Sequence, residues 1–207
     1  MTTSHVSDTA PTLRLTVLIG SVREGRFGPV AADWAVQQAE AHGRFKIRLV
    51  DLADTELPLA LGPTPPAVAT EDERPVGLAP LTDALREADA YLVVTPEYNR
   101  SFPASLKAAI DWHYGEWRAK PVAFVSYGAT FGGALAVEQL RQVYGELHTV
   151  TVRDTVSFPR YWTMLDEAGQ LDVPAETRAE ATAMFDELAW WGEALAQARA
   201  AAPYPGG

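Results

Sequence analysis

Three stretches of this chain carry residue types that could do chemistry, and each follows an apolar run. In VVTPEYNRSFP (93–103), an acid, a phenol and an amide come straight after a proline. Pro96 has no backbone N–H, so it should end a strand at residue 95 and free the groups beyond it to project from a sheet edge. Tyr98 then offers a flat aromatic face, Glu97 acceptors and Asn99 an amide, a set that would satisfy the rim of a planar heteroaromatic ring. A polar turn, with Ser101 as a cap for the following helix, is the plainer alternative for any one of these residues. In GSVREGRFGP (20–29), glycines permit a tight turn, Ser21 offers a hydroxyl, and Arg23 and Arg26 offer forked cationic donors. A helix starting just after it would add free amides and the positive end of its dipole, which suits a phosphate. The alternative is a solvated glycine-rich turn with two surface arginines, because such a turn is a weak signal alone. It is neither a Walker loop nor GxGxxG, since Gly20, Gly25 and Gly28 have the wrong spacing. In SYGATFGG (126–133), three glycines around a tyrosine and a phenylalanine let the backbone approach something flat.

The bulk composition removes other chemistries. The chain has 207 residues, enough for one well-cored domain and short for two. It has no cysteine, so thiolate nucleophiles, disulfides and zinc-thiolate or iron–sulfur sites are excluded, and redox chemistry would have to live on an organic cofactor. The four histidines, His5, His42, His113 and His148, show no metal-ligand spacing, and no metal is expected. A formal net charge of −10 disfavours nucleic acid and anionic membranes as partners. No apolar run approaches the ~20 residues of a membrane helix. The first residues, MTTSHVSDTAPT, lack the basic and apolar regions of a signal peptide, and residues 1–12 read as a disordered lead.

The remaining pattern supplies elements to position the three loops. Strands are expected over 13–20, 45–52, 90–95, 120–128 and 148–158, and helices over 29–43, 79–89, 104–117, 132–147 and 175–199. Pro29 opens the first helix and Gly43 follows it. Lys107 and Asp111 fall four apart on one helix face, and Met184, Leu188, Trp191 and Leu195 form an apolar stripe. Residues 53–76, with five prolines and no periodicity, read as a long loop, and 159–174 as irregular chain. Residues 13–200 form one domain, with a flexible tail over 201–207. Strands alternating with helices imply an α/β protein with a parallel sheet covered on both faces. Ligands of such sheets sit beyond the carboxyl ends of the strands, where the winding reverses. A phosphate loop and two ring loops at one such edge describe a flavin mononucleotide (FMN) site in a flavodoxin-like fold.

The segments IGSVREGRFG, TPEYNRSFPASLKAAIDW and KPVAFVSYGATFGGALAVEQLR resemble the NADPH-dependent FMN reductase family, the flavodoxin-like group that includes quinone, azo-dye and chromate reductases. The resemblance covers roughly residues 13–150. It implies a flavodoxin-like three-layer α/β/α sandwich whose five-stranded parallel sheet has the order 2-1-3-4-5. Ser21 and Arg23 match the family's phosphate ligands. The family commonly has Ser and Asn where this chain has Arg26 and Gly28, and Arg26, Phe27 and Gly28 complete the expected phosphate turn. Pro96, Glu97, Tyr98 and Asn99 match the loop lining the isoalloxazine ring, mostly through backbone groups, and Ser126 and Gly128 match the loop on its other side. Ala108 stands where the family often has Asn, and the helix carrying it forms a dimer interface in relatives. The resemblance therefore implies a cytoplasmic homodimer, or a tetramer, that binds FMN. NADPH or NADH would pass hydride through the flavin to a quinone-like acceptor, another small acceptor or free flavin. No side chain is assigned as catalytic, and Arg100 is the candidate partner for the nicotinamide nucleotide's phosphate. A flavodoxin-type electron carrier, and a flavin reductase partnering a monooxygenase, are the alternatives.

Overall fold

A parallel sheet needs strands that are apolar on both faces, and this chain writes that requirement with a two-residue period. The structure, a computed structural model, describes residues 12–205. The lead expected over 1–12 lies outside the described residues except for Thr12, and so do the last two residues of the expected tail. Strands β1 (Leu13–Ile19), β2 (Phe45–Asp51), β3 (Ala90–Pro96), β4 (Pro121–Gly128), β5 (Val150–Thr151) and β6 (Val156–Pro159) alternate with helices α1 (Gly28–His42), α2 (Ala79–Glu87), α3 (Ala104–Asp111), α4 (Ala134–Glu146) and α5 (Ala175–Ala201). All pairings are parallel, in the order β2-β1-β3-β4-β5, with β6 also paired to β4.

Successive residues feed opposite cores. Leu15, Val17, Leu92, Val94, Ala123 and Val125 point to the side covered by α1 and α5, where Trp34, Met184, Phe185 and Leu188 are buried. Leu18, Tyr91, Val93, Val122 and Phe124 point to the side covered by α2, α3 and α4, against Leu85, Ile110 and Leu140. The order places β1 and β3 side by side while their following helices lie on opposite faces. The winding therefore reverses there, and the loops after β1 and β3 open into one crevice.

Three expectations are corrected. The helix expected over 104–117 ends at Asp111. Trp117 is fully buried against Tyr91 and Tyr144, and the Trp112 indole donates to the Pro58 carbonyl at 2.8 Å, so burial pulls the chain off the helix axis. The single fifth strand expected over 148–158 is two short strands sharing one edge position. Between them the amides of Arg153 and Asp154 leave the ladder and donate to the Glu187 carboxylate, both at 3.0 Å. The loop over 53–76 begins inside one 3₁₀ turn, contains a second and ends at the start of a third, and a part-buried Arg74–Glu116 ion pair ties its far end to the body. The Lys107–Asp111 pair forms as expected, at 2.6 Å. Trp191 packs on the core as its place in the apolar stripe implies, and its neighbour Trp190 is exposed.

Candidate functional site

The turn after β1 is held from below. The Gly20 amide donates to the Val94 carbonyl at 2.9 Å and its carbonyl accepts from Ser105 Oγ at 2.6 Å. Ser21 is fully buried, and its hydroxyl lies 2.8 Å from the Tyr98 hydroxyl, which joins the turn after β1 to the turn after β3. Gly28 opens α1 where no side chain fits, because a Cβ there would sit 2.8 Å from Ile19 Cγ2 and 3.2 Å from Tyr127 Oη. Phe27 occupies the N-cap position without a side-chain cap, and the first turn holds no acid, so the leading amides of α1 lack a side-chain acceptor. Phe27 itself is core, stacked on Tyr161 at 4.1 Å between ring centres.

The two arginines of this turn divide their work. Arg26 is half-buried and ion-paired with Asp51 at the end of β2, which absorbs its charge. Arg23 is exposed and makes no ion pair within the described residues, so it is the cation left for an incoming anion. The turn thus keeps one free charge rather than two, and the paired arginine buttresses it.

The turn after β3 departs from expectation in detail. Pro96 does not end the ladder: it lies opposite Tyr127 in register, and the Glu97 amide donates to the Tyr127 carbonyl at 3.0 Å. The backbone groups of Tyr98 and Ser101, expected to be free, bond each other at 2.7 and 2.9 Å. They close a two-residue turn whose central residues, Asn99 and Arg100, have φ of 51° and 68°. That is the geometry of a type I′ turn, which favours Asn first and Gly second, so Arg100 sits against its preference. Gln139 on α4 braces the tip, donating to the Arg100 carbonyl at 2.8 Å and accepting from Ser101 Oγ at 2.7 Å. Glu97 turns its carboxylate away to accept from the Leu135 amide at 3.2 Å, at the positive end of α4.

The turn after β4 is made by its glycines. A Cβ on Gly133, at φ 95°, would lie 2.5 Å from Ser126 Cβ, and one on Gly128 would lie 3.2 Å from the Gly133 amide. Ser126 does not face the crevice: it is fully buried and donates to the Gly132 carbonyl at 2.8 Å, with Ser157 Oγ at 3.1 Å. Its role is to pin the turn from beneath. The Arg160 amide reaches the Gly128 and Ala129 carbonyls at 2.9 and 2.8 Å, which brings Tyr161 and the exposed Trp162 beside the site.

Together these turns form a cavity of about 190 Å³ lined by Arg23, Arg26, Phe27, Pro96, Glu97, Tyr98 and Gly128. Of the expected site residues, Asn99 stands out at the exposed tip, Ser126 lies under the floor, and Ser21 and Gly28 sit at its base. Sequence reasoning missed four lining residues: Tyr127, Ala129, Tyr161 and Trp162. The last two were legible as an aromatic pair directly after an edge strand. Tyr127 is 4% exposed, its hydroxyl has no partner, and burial raises its pKa well above the ordinary phenol value, with Tyr98 adding to the shift. Uncapped amides, a neutral buried phenol and Arg23 are all donors converging on one place, and this set fits a phosphate; the flat rings and bare glycine edges beyond it fit a planar ring.

Sheet order and crevice define a flavodoxin-like protein. The RosB structure with bound 8-demethyl-8-formylriboflavin-5′-phosphate shares the fold at a TM-score of 0.72 and 14% identity, covering 93% of this chain and 82% of its own. The flavoenzyme NAD(P)H:(acceptor) oxidoreductase FerB from Paracoccus denitrificans does so at 0.67 and 24%, covering 88% and 98%. In sequence, the profile of the NADPH-dependent FMN reductase family matches residues 13–163, and this chain belongs to that family. An NAD(P)H-dependent FMN reductase of Schizosaccharomyces pombe is 35% identical over 136 residues, covering 66% of this chain and 68% of the relative. A 2-hydroxy-1,4-benzoquinone reductase of Burkholderia sp is 30% identical over 186 residues, covering 86% and 96%. The chain is accordingly an oxidoreductase that uses FMN and a reduced nicotinamide nucleotide.

Proposed function

We propose that this enzyme holds FMN by its phosphate at the first turn of α1, with Ser21 and Arg23 as ligands, and by its ring between the turns 96–99 and 126–128, within one domain spanning 13–200. The observation that carries the reading is the convergence on one crevice of uncapped α1 amides, an Arg23 with no ion pair and a buried hydroxyl with no hydrogen-bond partner among the described residues. The chemistry that bound FMN supplies is two-electron redox, taking hydride from NAD(P)H and delivering it to a small acceptor. The chain's own residues orient and shield. Arg26, neutralised by Asp51, stiffens the phosphate turn, and Glu97 is kept from the ring by its bond to α4. The Tyr98–Ser21 bond fixes the spacing between the phosphate and ring turns.

A quinone-like acceptor is the reading supported by relatives named as quinone reductases, such as that of Escherichia coli (strain K12), 34% identical over 136 residues. A homodimer is supported by an open groove of about 700 Å³ between α3 and α4, where Leu59, Phe102, Ala108 and Val143 present apolar surface. A net charge of −10 supports a small-molecule partner over nucleic acid. No described helix is long and apolar enough to cross a membrane, and dependence on a cellular nicotinamide nucleotide supports a cytoplasmic location.

The test is flavin titration of the purified chain followed by mixing with NADPH and a benzoquinone. The expected result is a yellow, FMN-loaded protein that NADPH bleaches and quinone recolours. The substitution Arg23→Ala should weaken FMN about tenfold or more, as loss of a charge-assisted hydrogen bond does. Failure of the protein to take up FMN would overturn the reading.

A further inference from the structure

Tyr127 is anomalous among the hydroxyls of the crevice. Ser21 and Tyr98 satisfy each other at 2.8 Å, and Ser126 is satisfied by the Gly132 carbonyl. The Tyr127 hydroxyl, in a residue only 4% exposed, has no partner. The Ser21 hydroxyl, bonded to Tyr98, is the protein oxygen that faces the phenol, and it draws the phenol's pKa back from the rise that burial causes. The phenol is also immobile. Its ring meets Phe27 edge-on at 5.0 Å and Tyr161 edge-on at 5.5 Å, so it is held on both sides in one orientation.

That orientation points at the start of α1. The hydroxyl comes within 3.2 Å of the position a Cβ on Gly28 would take, and Gly28 is the first residue of the helix. Two independent features thus meet there: leading amides with no side-chain cap, and a buried hydroxyl with no acceptor. Both are donors, and Arg23 lines the same cavity. An unpaired buried hydroxyl destabilises a fold that phenylalanine would fill equally well, and what sets Tyr127 apart from Tyr144, whose buried hydroxyl also lacks a partner, is its place in the lining of the crevice.

We propose that Tyr127 is a phosphate ligand, its hydroxyl donating directly to the phosphate of FMN and setting the preference for FMN over unphosphorylated riboflavin. The inference rests on the FMN reading above and names a specificity residue for it. No bond is made or broken, and the proton stays on the phenol.

The experiment compares the full-length wild type with Tyr127→Phe, titrating each with FMN and with riboflavin by fluorescence quenching and melting each without flavin. Tyr127→Phe should weaken FMN by about tenfold or more, as expected for one hydrogen bond to a charged group. Riboflavin binding should change less than about twofold, and the melting temperature of the flavin-free variant should rise. Inorganic phosphate should raise the melting temperature of the wild type more than that of the variant. Equal loss of both flavins would show a packing role and overturn the proposal, as would unchanged FMN binding or a lowered melting temperature. A wild type that binds neither flavin nor phosphate would overturn the FMN reading itself, an outcome distinct from all of these.

Discussion

The two ends of the sheet spend their polar groups in opposite ways. At the amino end, Lys120 is buried at the start of β4, yet its amine donates to the Leu85 and Arg86 carbonyls at 2.7 and 3.0 Å and so closes the last turn of α2. The Tyr91 hydroxyl donates to Leu85, the Arg14 guanidinium grips Asp89 at 3.0 Å, and Arg199 donates to the Ala119 carbonyl. Most charges and donors there are consumed within the protein, as buried polar groups require, the fully buried Tyr144 hydroxyl being the exception. At the carboxyl end, among the described residues, the Tyr127 hydroxyl has no hydrogen-bond partner, α1 has no side-chain cap and Arg23 makes no ion pair. One end converts polarity into stability. The other leaves donors unspent for a ligand and relies on neighbouring packing to tolerate them.

The sharpest way to break the contrast is at Gly133, where the turn after β4 is both strained and crowded. A Cβ there meets the Ser126 side chain at 2.5 Å and the Tyr127 amide at 2.9 Å, at a φ of 95°. Gly133→Ala should cost about 4 kcal/mol, the sum of overpacking and left-handed strain. Denaturant unfolding gives the number, and a loss below about 1 kcal/mol would show that the turn relaxes freely and that its glycines are not structural.

A smaller effect should come from the amino end, through pH. Burial holds the Lys120 amine down at about 7, against 10.5 for an unfolded lysine. Between those values the unfolded chain carries one more proton than the folded one, so raising the pH stabilises the fold. The gain should be roughly 3 kcal/mol between pH 7 and pH 10. Below pH 7 the amine is charged in both states and contributes no further slope. Above pH 10 the trend should reverse, because burial raises the Tyr91 and Tyr144 phenols well above their ordinary value and only the unfolded chain loses those protons. Lys120→Met should flatten the rise. A wild-type profile already flat from 7 to 10 would mean that water reaches the amine.

How much of this could be read in the chain differs between the two ends as well. The fold was legible because local pattern carries it. Alternating buried strands, Pro29 and Gly43 bracketing α1, and the polar turn at 96–99 placed the crevice at the right edge. The fates of single side chains were not legible, because they depend on partners distant in sequence. Arg26 is spent on Asp51, 25 residues away, and Glu97 on the Leu135 amide, 38 away. Ser126 turns inward because strand period, not residue type, decides its face. Tyr127 sits inside the apolar run PVAFVSYG, where an aromatic residue reads as core, and only the three-dimensional neighbourhood reveals its unpaired oxygen. The amino-end lysine was invisible for the same reason.

The smallest expected effect separates strain kept for function from strain merely tolerated. Arg100 holds φ 68° at the second central position of the turn after β3, where glycine would be at ease. A left-handed conformation costs an ordinary L-residue about 1 kcal/mol, and the bracing by Gln139 shows where the neighbouring structure offsets it. Arg100→Gly should therefore stabilise the protein by up to about 1 kcal/mol, less the extra freedom glycine has when unfolded. If the side chain reaches the phosphate of the nicotinamide nucleotide, the same substitution should raise the KM for NADPH several-fold with kcat nearly unchanged, because it removes binding and no chemistry. NADH, which lacks the 2′-phosphate, serves as the internal control, and its KM should move less. Stability gained while the NADPH KM rises would place Arg100 with the unspent donors of the carboxyl end. A gain in stability with both KM values unchanged would make the turn a strained connection and nothing more.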